Sequence, residues 1–493
     1  MELQLKQRRI DCLKQLTNQI RQEEHTQEIK LGDTLPDVGK VLGAWGQVLL
    51  RGKQWNPGNA MVSGGVMAWV LYAPEDGSQE QCLETWIPFQ MRWDQPQTQQ
   101  DGYIVAACNL KSIDARSVSA RKIMVRACVS IMAQTYEPVN VTVYEPGEVE
   151  TDVQILEKSY PILIPKEAGE KIFELEEDLR LPQSMPQIDR IICYDLQSEL
   201  IDQKMMAGKA VFRGTAWLHL LYRSADGNIN SWDFEVPFSQ YGELDGEFEQ
   251  EAEVKVLPMV TGLELETADG VLKLHASFAA QYLVCDRPVL HVVEDAYSNQ
   301  RQVKVLREAV ELPAVLDNIR NIARAEIPVP PNCARVLDVS FTYDQPRLRR
   351  GADQVLVDLA GTFQVLYLDE QQHLQCGVSR WDNTLTHLAN QNIQVHGMCQ
   401  RTGRPQIGND IANDLAVEFT SMSETGLPMV STLELGELQQ PDADRPSLVL
   451  RRMDGSDLWN VAKSCGSTVQ AILQANGLVQ EPEQGRMLLI PVL

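Results

Sequence analysis

Along most of the chain, apolar and polar positions alternate with a period close to two. In Lys122-Ile-Met-Val-Arg-Ala-Cys-Val-Ser130, Gly270-Val-Leu-Lys-Leu-His-Ala-Ser-Phe278 and Leu415-Ala-Val-Glu-Phe419, β-branched and apolar residues interleave with polar ones, which predicts short, half-buried strands. Asp76-Gly77 and Asp226-Gly227 fall between strand-like runs, and because both residue types tolerate positive φ each pair marks a hairpin. A meander of antiparallel strands folded as a sandwich follows. Two stretches depart from the alternation. Ile10, Leu13, Leu16 and Ile20 share one face at helical spacing, which predicts a helix over residues 10–24, and a second helix is expected within 314–325. The basic side chains Lys6, Arg8, Arg9, Lys14 and Arg21 near the first are offset by Asp11, Glu23 and Glu24, so packing on the neighbouring strands is expected rather than a membrane anchor.

An internal repeat organises the strands. Runs ending in Leu-Tyr occur as Met67-Ala-Trp-Val-Leu-Tyr72, Trp217-Leu-His-Leu-Leu-Tyr222 and Thr362-Phe-Gln-Val-Leu-Tyr367, placing the tyrosines 150 and 145 residues apart. Each lies 36 residues after a proline (Pro36, Pro186, Pro331), and a second proline follows in Glu137-Pro-Val139, Arg287-Pro-Val289 and Leu427-Pro-Met429. Val153-Gln-Ile-Leu156 matches Val303-Lys-Val-Leu306, and the same step back reaches Leu3-Gln-Leu5. The boundaries are then 1–150, 151–302 and 303–438, each unit long enough to own a core. The third is the most divergent: Gly64 and Gly214 correspond to Leu359, and Ile87-Pro-Phe89 and Val236-Pro-Phe238 have no clear counterpart. The expected fold is mainly β: three tandem antiparallel β-sandwich-like repeats, a polar linker over 439–446, and a small separate module over 447–493.

Composition narrows the function. The 493 residues are 44% hydrophobic and 23% charged, ordinary for a globular chain, and the net charge of −24 repels phosphate backbones and anionic lipid. Protein partners are therefore expected, with no nucleic acid. No run approaches the ~18 apolar residues of a membrane span, and the charged start Met1-Glu-Leu-Gln-Leu-Lys-Gln-Arg-Arg-Ile10 lacks the apolar core of a signal peptide, so a cytosolic address is expected. The 10 cysteines form no C-x-x-C pair and sit mostly in apolar runs, as buried hydrophobes do.

Motifs for catalysis are missing: there is no G-x-S-x-G, G-x-x-x-x-G-K-[ST], G-x-G-x-x-G or H-E-x-x-H, so a non-enzymatic protein without cofactor or metal is expected. His373, Cys376, His396 and Cys399 are ligand types that zinc accepts, yet i and i+3 on a strand point to opposite faces. His219, His275 and His291 lie inside strand-like runs and read as structural, and the acidic stretches 167–178 and 243–253 read as solvated faces.

The C-terminal segment carries a sharper pattern. Asp454-Gly-Ser-Asp-Leu-Trp-Asn-Val-Ala-Lys463, Gly466-Ser-Thr-Val-Gln-Ala-Ile-Leu-Gln-Ala-Asn476-Gly-Leu478 and Met487-Leu-Leu-Ile-Pro491 resemble a LysM domain, a family that folds as βααβ. Asp457 is suited to cap a first helix with Leu458, Val461 and Ala462 on its inward face, Thr468 to cap a second carrying Ile472 and Leu473, and Trp459 to sit in the core or groove wall. The resemblance implies a groove for N-acetylglucosamine chains between Gly455, Ser456, Asp457, Leu458 and Asn476, Gly477, Leu478, Val479, Gln480. The family's usual Gly-Asp-Thr is replaced here by Gly455-Ser456-Asp457, so these loops are expected to bind protein, with Leu458 and Leu478 offered to a partner and peptidoglycan as the alternative. The linker is expected to leave the module free to move. Three β-rich repeats followed by this module resemble the SPOCS family of endospore-forming bacteria. That resemblance implies a mother-cell scaffold that attaches the basement layer of the spore coat to the forespore surface by binding the coat morphogenetic ATPase that polymerises there.

Overall fold

The computed structural model describes residues 2–98, 101–147, 150–268, 270–388, 393–423, 426–439, 446–455 and 457–493. β1 (Glu2–Gln4) and β2 (Lys6–Lys30) open the chain, followed by β3 (Val38–Asn56), β4 (Asn59–Pro74), β5 (Gln81–Asp94), β6 (Tyr103–Ser119) and β7 (Lys122–Glu145). β2-β7-β6 and β3-β4-β5 are antiparallel three-stranded sheets facing each other over Val62, Val66, Met91, Trp93, Val125 and Ile131. The chain continues through β8 (Val153–Pro161) into β9 (Ile164–Leu179), β10 (Ile188–Met206), β11 (Lys209–Ser224), β12 (Ile229–Glu243), β13 (Glu253–Ala268) and β14 (Val271–Asp286), and the pairing order returns as β9-β14-β13 and β10-β11-β12. β15 (Val289–Ser298) and β16 (Val303–Val310) lead to β17 (Val315–Pro328), β18 (Cys333–Tyr343), β19 (Arg347–Arg350), β20 (Gln354–Asp369), β21 (Leu374–Leu388), β22 (Ile393–Ile407) and β23 (Asp410–Ser423). Here β17-β23-β22 faces a sheet in which β20 pairs β21 on one side and β18 and β19 on the other. β18 and β19 take the place of one unbroken strand, interrupted at Asp344-Gln345-Pro346, where proline has no N–H for a ladder.

In each of these three units the first strand pairs with the last and the middle strands form a meander. The hairpins at Gly77 (φ +72°) and Gly227 (φ +86°) join the second and third meander strands; Asp76 accepts from Ser78 N at 2.9 Å and Asp226 from Asn228 N at 3.2 Å, fixing the turns. Tyr72, Tyr222 and Tyr367 occupy matching registers opposite Val41, Ile191 and Val336. The 36-residue spacing to proline has a physical cause in two of them. The hydroxyls of Tyr72 and Tyr222 each donate to a carbonyl, Pro36 O and Pro186 O, at 3.1 Å. Tyr367 is half-buried and makes no such bond.

Both expected helices are strands. Residues 10–24 lie within β2, which pairs with β7 from Lys6↔Glu145 to Lys30↔Lys122. The apparent helical spacing arises because β2 is covered on both faces: Ile10 and Cys12 point into one cluster, while Leu13 packs on Tyr136 and Ala168 on the other side. A register shift between Gln15 and Thr17 then changes the phase of the alternation. Of residues 314–325, all but Ala314 fall in β17, held against β23.

The outer ribbons of the units meet in a hub. β24 (Leu427–Leu435) pairs with β16 on one edge and with β1 on the other, β8 pairs with β15, and the ends of β2 and β7 complete the third ribbon. Ile10, Val143, Ile164, Leu290, Val292, Val310 and Met429 form one shared apolar cluster; Leu5, Val153, Val293, Val430 and Leu433 form another. Residues 447–493 add β25 (Leu448–Arg452), α1 (Leu458–Cys465), α2 (Val469–Ala475) and β26 (Met487–Pro491), with β25 and β26 antiparallel. Asp457 caps α1 through Asn460 N at 2.7 Å, and Thr468 caps α2 through Ala471 N at 3.1 Å. Residues 440–445, within the expected linker, lie outside the described residues.

Candidate partner-binding site

The first of the two expected loops is tied to the segment that leads into β26 rather than to residues 476–480. Gly455, left-handed at φ +94°, donates its N–H to Gln484 Oε1 at 2.7 Å, and Leu458 N donates to Glu481 Oε1 at 2.7 Å. The side chains are distributed differently from the expectation. Leu458 is 4% exposed and packs with Val461, Ala462, Ile472, Leu488 and Ile490, because it is the first inward residue of α1. Leu478 is half-buried against the same core. Asn476 is a brace: its amide donates to Ile472 O and Leu489 O and accepts from Leu489 N at 2.7 to 2.8 Å. Asp457 is occupied as a cap. Gly477 takes φ +59° to turn the chain out of α2, and only Val479 (98% exposed) and Gln480 project freely. Ser456 lies outside the described residues.

Trp459 lines neither core nor groove alone. Its indole N–H donates to Asp295 Oδ2 of β15 at 2.9 Å, and its ring meets Tyr297 edge-on at 4.8 Å. Lys463, one turn on, reaches the same carboxylate oxygen at 2.6 Å, and Arg307 bonds the other oxygen at 2.9 Å. Tyr297 is buried in the module's core cluster and donates to Ser467 O at 2.9 Å, so the module is docked on β15. This corrects the expectation of a freely moving module. The sign of the Asp295 shift follows from the cluster: burial raises its pKa, but the Lys463 ammonium and Trp459 N–H outweigh burial and hold it below the usual carboxylate value.

One surface escaped the sequence reading. On β25–β26 the inward residues Val449, Leu488 and Ile490 face the helices, whereas Leu448, Leu450 and Met487 are 48%, 66% and 54% exposed. Cross-strand pairing sets Leu448 against Pro491, Leu450 against Leu489 and Arg452 against Met487. The signal was present as Leu-x-Leu and Met-x-Leu alternation, but only the placement of both helices on one side shows which set is left open.

A cluster of ionisable side chains lies where the three units meet. Asp338, 2% exposed, accepts from His219 Nε2 at 2.7 Å and from Trp45 Nε1 at 3.2 Å, and His219 Nδ1 donates to Asp233 at 2.7 Å. Arg404 bonds Asp195 at 3.0 Å and lies 3.1 Å from Asp233, while Arg401 bonds Asp195 at 2.9 Å. Burial and the Arg404 charge press the His219 pKa down, but the Asp338 and Asp233 carboxylates outweigh them and lift it to about 9. Burial likewise opposes ionisation of Asp195, yet Arg404 and Arg401 hold it well below the usual carboxylate range. An imidazolium with both N–H groups engaged has no lone pair to act as a base, so this cluster is a joint. A cavity of about 350 Å³ beside it, lined by Met132, Leu257, Lys255 and Met398 among others, marks where the packing of the three units is incomplete.

The zinc candidate does not assemble. Among the described residues, the only group of three or more His, Cys, Asp or Glu side chains whose ligand atoms all lie within 4.8 Å of one another is Glu174, Glu176 and His275 on a largely exposed sheet face, and His373, Cys376, His396 and Cys399 are not in it. Burial pushes the Cys376 thiol up to about 12 and the His396 imidazole down to about 4.

Residues 187–267 match the family model described as SipL, SPOCS domain. The matched stretch begins just before β10 and ends within β13, so over the meander of the second unit and the strand that follows it the chain is similar to a SPOCS domain. No curated protein and no solved structure matches the chain.

Proposed function

We propose that this chain is a non-enzymatic scaffold of endospore coat assembly, in which three SPOCS-type domains and a LysM module bind the polymerising coat morphogenetic ATPase and attach the basement layer to the forespore surface. The observation that carries the proposal is the SPOCS match over 187–267. The pairing order of the matched unit occurs also in the first and third units, which supports reading them as copies of one domain. The strand, helix, helix, strand order of 448–491 supports reading the C-terminal module as a LysM. Its groove residues are mostly spent on internal bonds, which favours a protein partner over a glycan. No helix among the described residues is long and apolar enough to cross a membrane, so contact with the forespore surface is assigned to the partner.

Co-sedimentation of the full chain with polymer of the purified coat ATPase tests this. The chain is expected in the pellet with the polymer, and a variant lacking 447–493 in the supernatant. Pelleting with insoluble peptidoglycan but not with the ATPase polymer would overturn the reading.

A further inference from the structure

Resting on that reading, we propose that the partner is held by the outer face of β25–β26, and that the segment it holds is a helix with an apolar stripe and carboxylates at one end. The face consists of Leu448, Leu450 and Arg452 on one strand and Pro491, Leu489 and Met487 on the other. Five of six are apolar, on a sheet whose opposite side is closed by Leu458, Val461 and Ile472 of the helices. Exposed, contiguous apolar side chains of this kind mark interaction surfaces.

The rest of the module restricts where a partner can sit. α1 turns Trp459 and Lys463 to Asp295, so that face of α1 is covered by the chain itself. The loops are tied by the Gly455–Gln484 and Leu458–Glu481 bonds. The sheet face lies across the module core from these contacts and carries no partner from elsewhere in the chain among the described residues.

Size and charge select the occupant. Five strand residues at ~3.3 Å each span about 16 Å, the length of about three helical turns at 5.4 Å each. The face is apolar at the Leu448–Pro491 end and cationic at the other. There, among the described residues, Arg452 bonds only the Gly485 carbonyl (2.9 Å), and Arg486, adjoining Met487, has no carboxylate partner. A guanidinium beside an apolar strip recognises a carboxylate at the end of an apolar stripe.

The test uses the full chain labelled at leucine and methionine methyls, and as probe a synthetic helical peptide of about three turns with one leucine stripe and glutamates at one end. Peptide-induced shifts are expected at Leu448, Leu450, Met487 and Leu489, while the core methyls of Leu488 report an intact module. Leu450→Glu is expected to weaken binding by about tenfold or more. Arg452→Glu is expected to do the same for the glutamate-ended peptide and to favour a lysine-ended one, a reversal that unfolding cannot produce. Equal affinity for both peptides in the unaltered chain, shifts confined to residues 476–480, or concentration-dependent dimerisation through this face without peptide binding would each overturn the proposal. If Leu450→Glu still pellets with the ATPase polymer, the surface is wrong and the scaffold reading stands. If the unaltered chain never pellets, the scaffold reading fails whatever the peptide does.

Discussion

Two of the ionic contacts that join parts of this chain, beside others such as Arg223–Glu80 and Lys111–Asp344, are built differently. At the junction of the three units Asp338, His219, Arg401 and Arg404 are nearly sealed from water, with side-chain exposures of 2%, 7%, 12% and 9%. At the dock of the C-terminal module the carboxylate of Asp295 is buried, but its partners Lys463 and Arg307 are 39% and 50% exposed. Removing one member of a sealed pair strands a charge where water cannot reach it, whereas at a rim solvent replaces the lost partner. The three units are thus fused into one body. The module is attached by one carboxylate, one aromatic pair and two carbonyl contacts to Ser467.

The comparison breaks most visibly at Asp338. Asp338→Ala leaves His219 and Trp45 without their acceptor and is expected to destabilise the chain by about 3 kcal/mol or more, read as a lower midpoint in denaturant. Titration of the same joint comes next. The His219 pKa is raised on folding to about 9, so its contribution is complete below the unfolded value near 6.5 and is lost as pH rises through about 9. Stability measured from pH 6.5 to 9.5 should fall by on the order of 2 kcal/mol, and His219→Gln should flatten that slope. Asp295→Ala is expected to cost about 1 to 2 kcal/mol at the dock alone. Hydrogen exchange should then speed up around Ser467 while the β strands of the three units keep their protection. The smallest effects separate the units from one another. Tyr72→Phe and Tyr222→Phe should each lose about 1 kcal/mol with their carbonyl bonds, and Tyr367→Phe should be close to neutral.

Legibility followed sequence distance. The tyrosine and proline landmarks were readable because the bond between Tyr72 and Pro36 fixes a short spacing that Tyr222 and Pro186 keep. The caps Asp457 and Thr468 act on residues three positions away and were readable for the same reason. β2 was misread because burial on both faces together with the register shift after Gln15 imitates a helical stripe. Nothing local announces the joint: His219 and Asp338 are 119 positions apart, and Arg401 and Asp195 are 206 apart. Leu458 illustrates the remaining gap. Its inward place on α1 beside Val461 and Ala462 was legible, but that this closes it to a partner depends on the core formed with Ile490.

The pairing of first with last strand sets a timetable for synthesis. β2 cannot find β7 until residues as far as Glu145 have left the ribosome, and at roughly 5–20 residues per second it must wait several seconds or longer with its apolar positions uncovered. β1 waits longer still, since its neighbour β24 begins at Leu427, roughly 20 to 90 seconds later. Each unit can thus close only as its own final strand appears, one after another. The hub can form only when the third is finished, which makes a truncated chain an open-edged one.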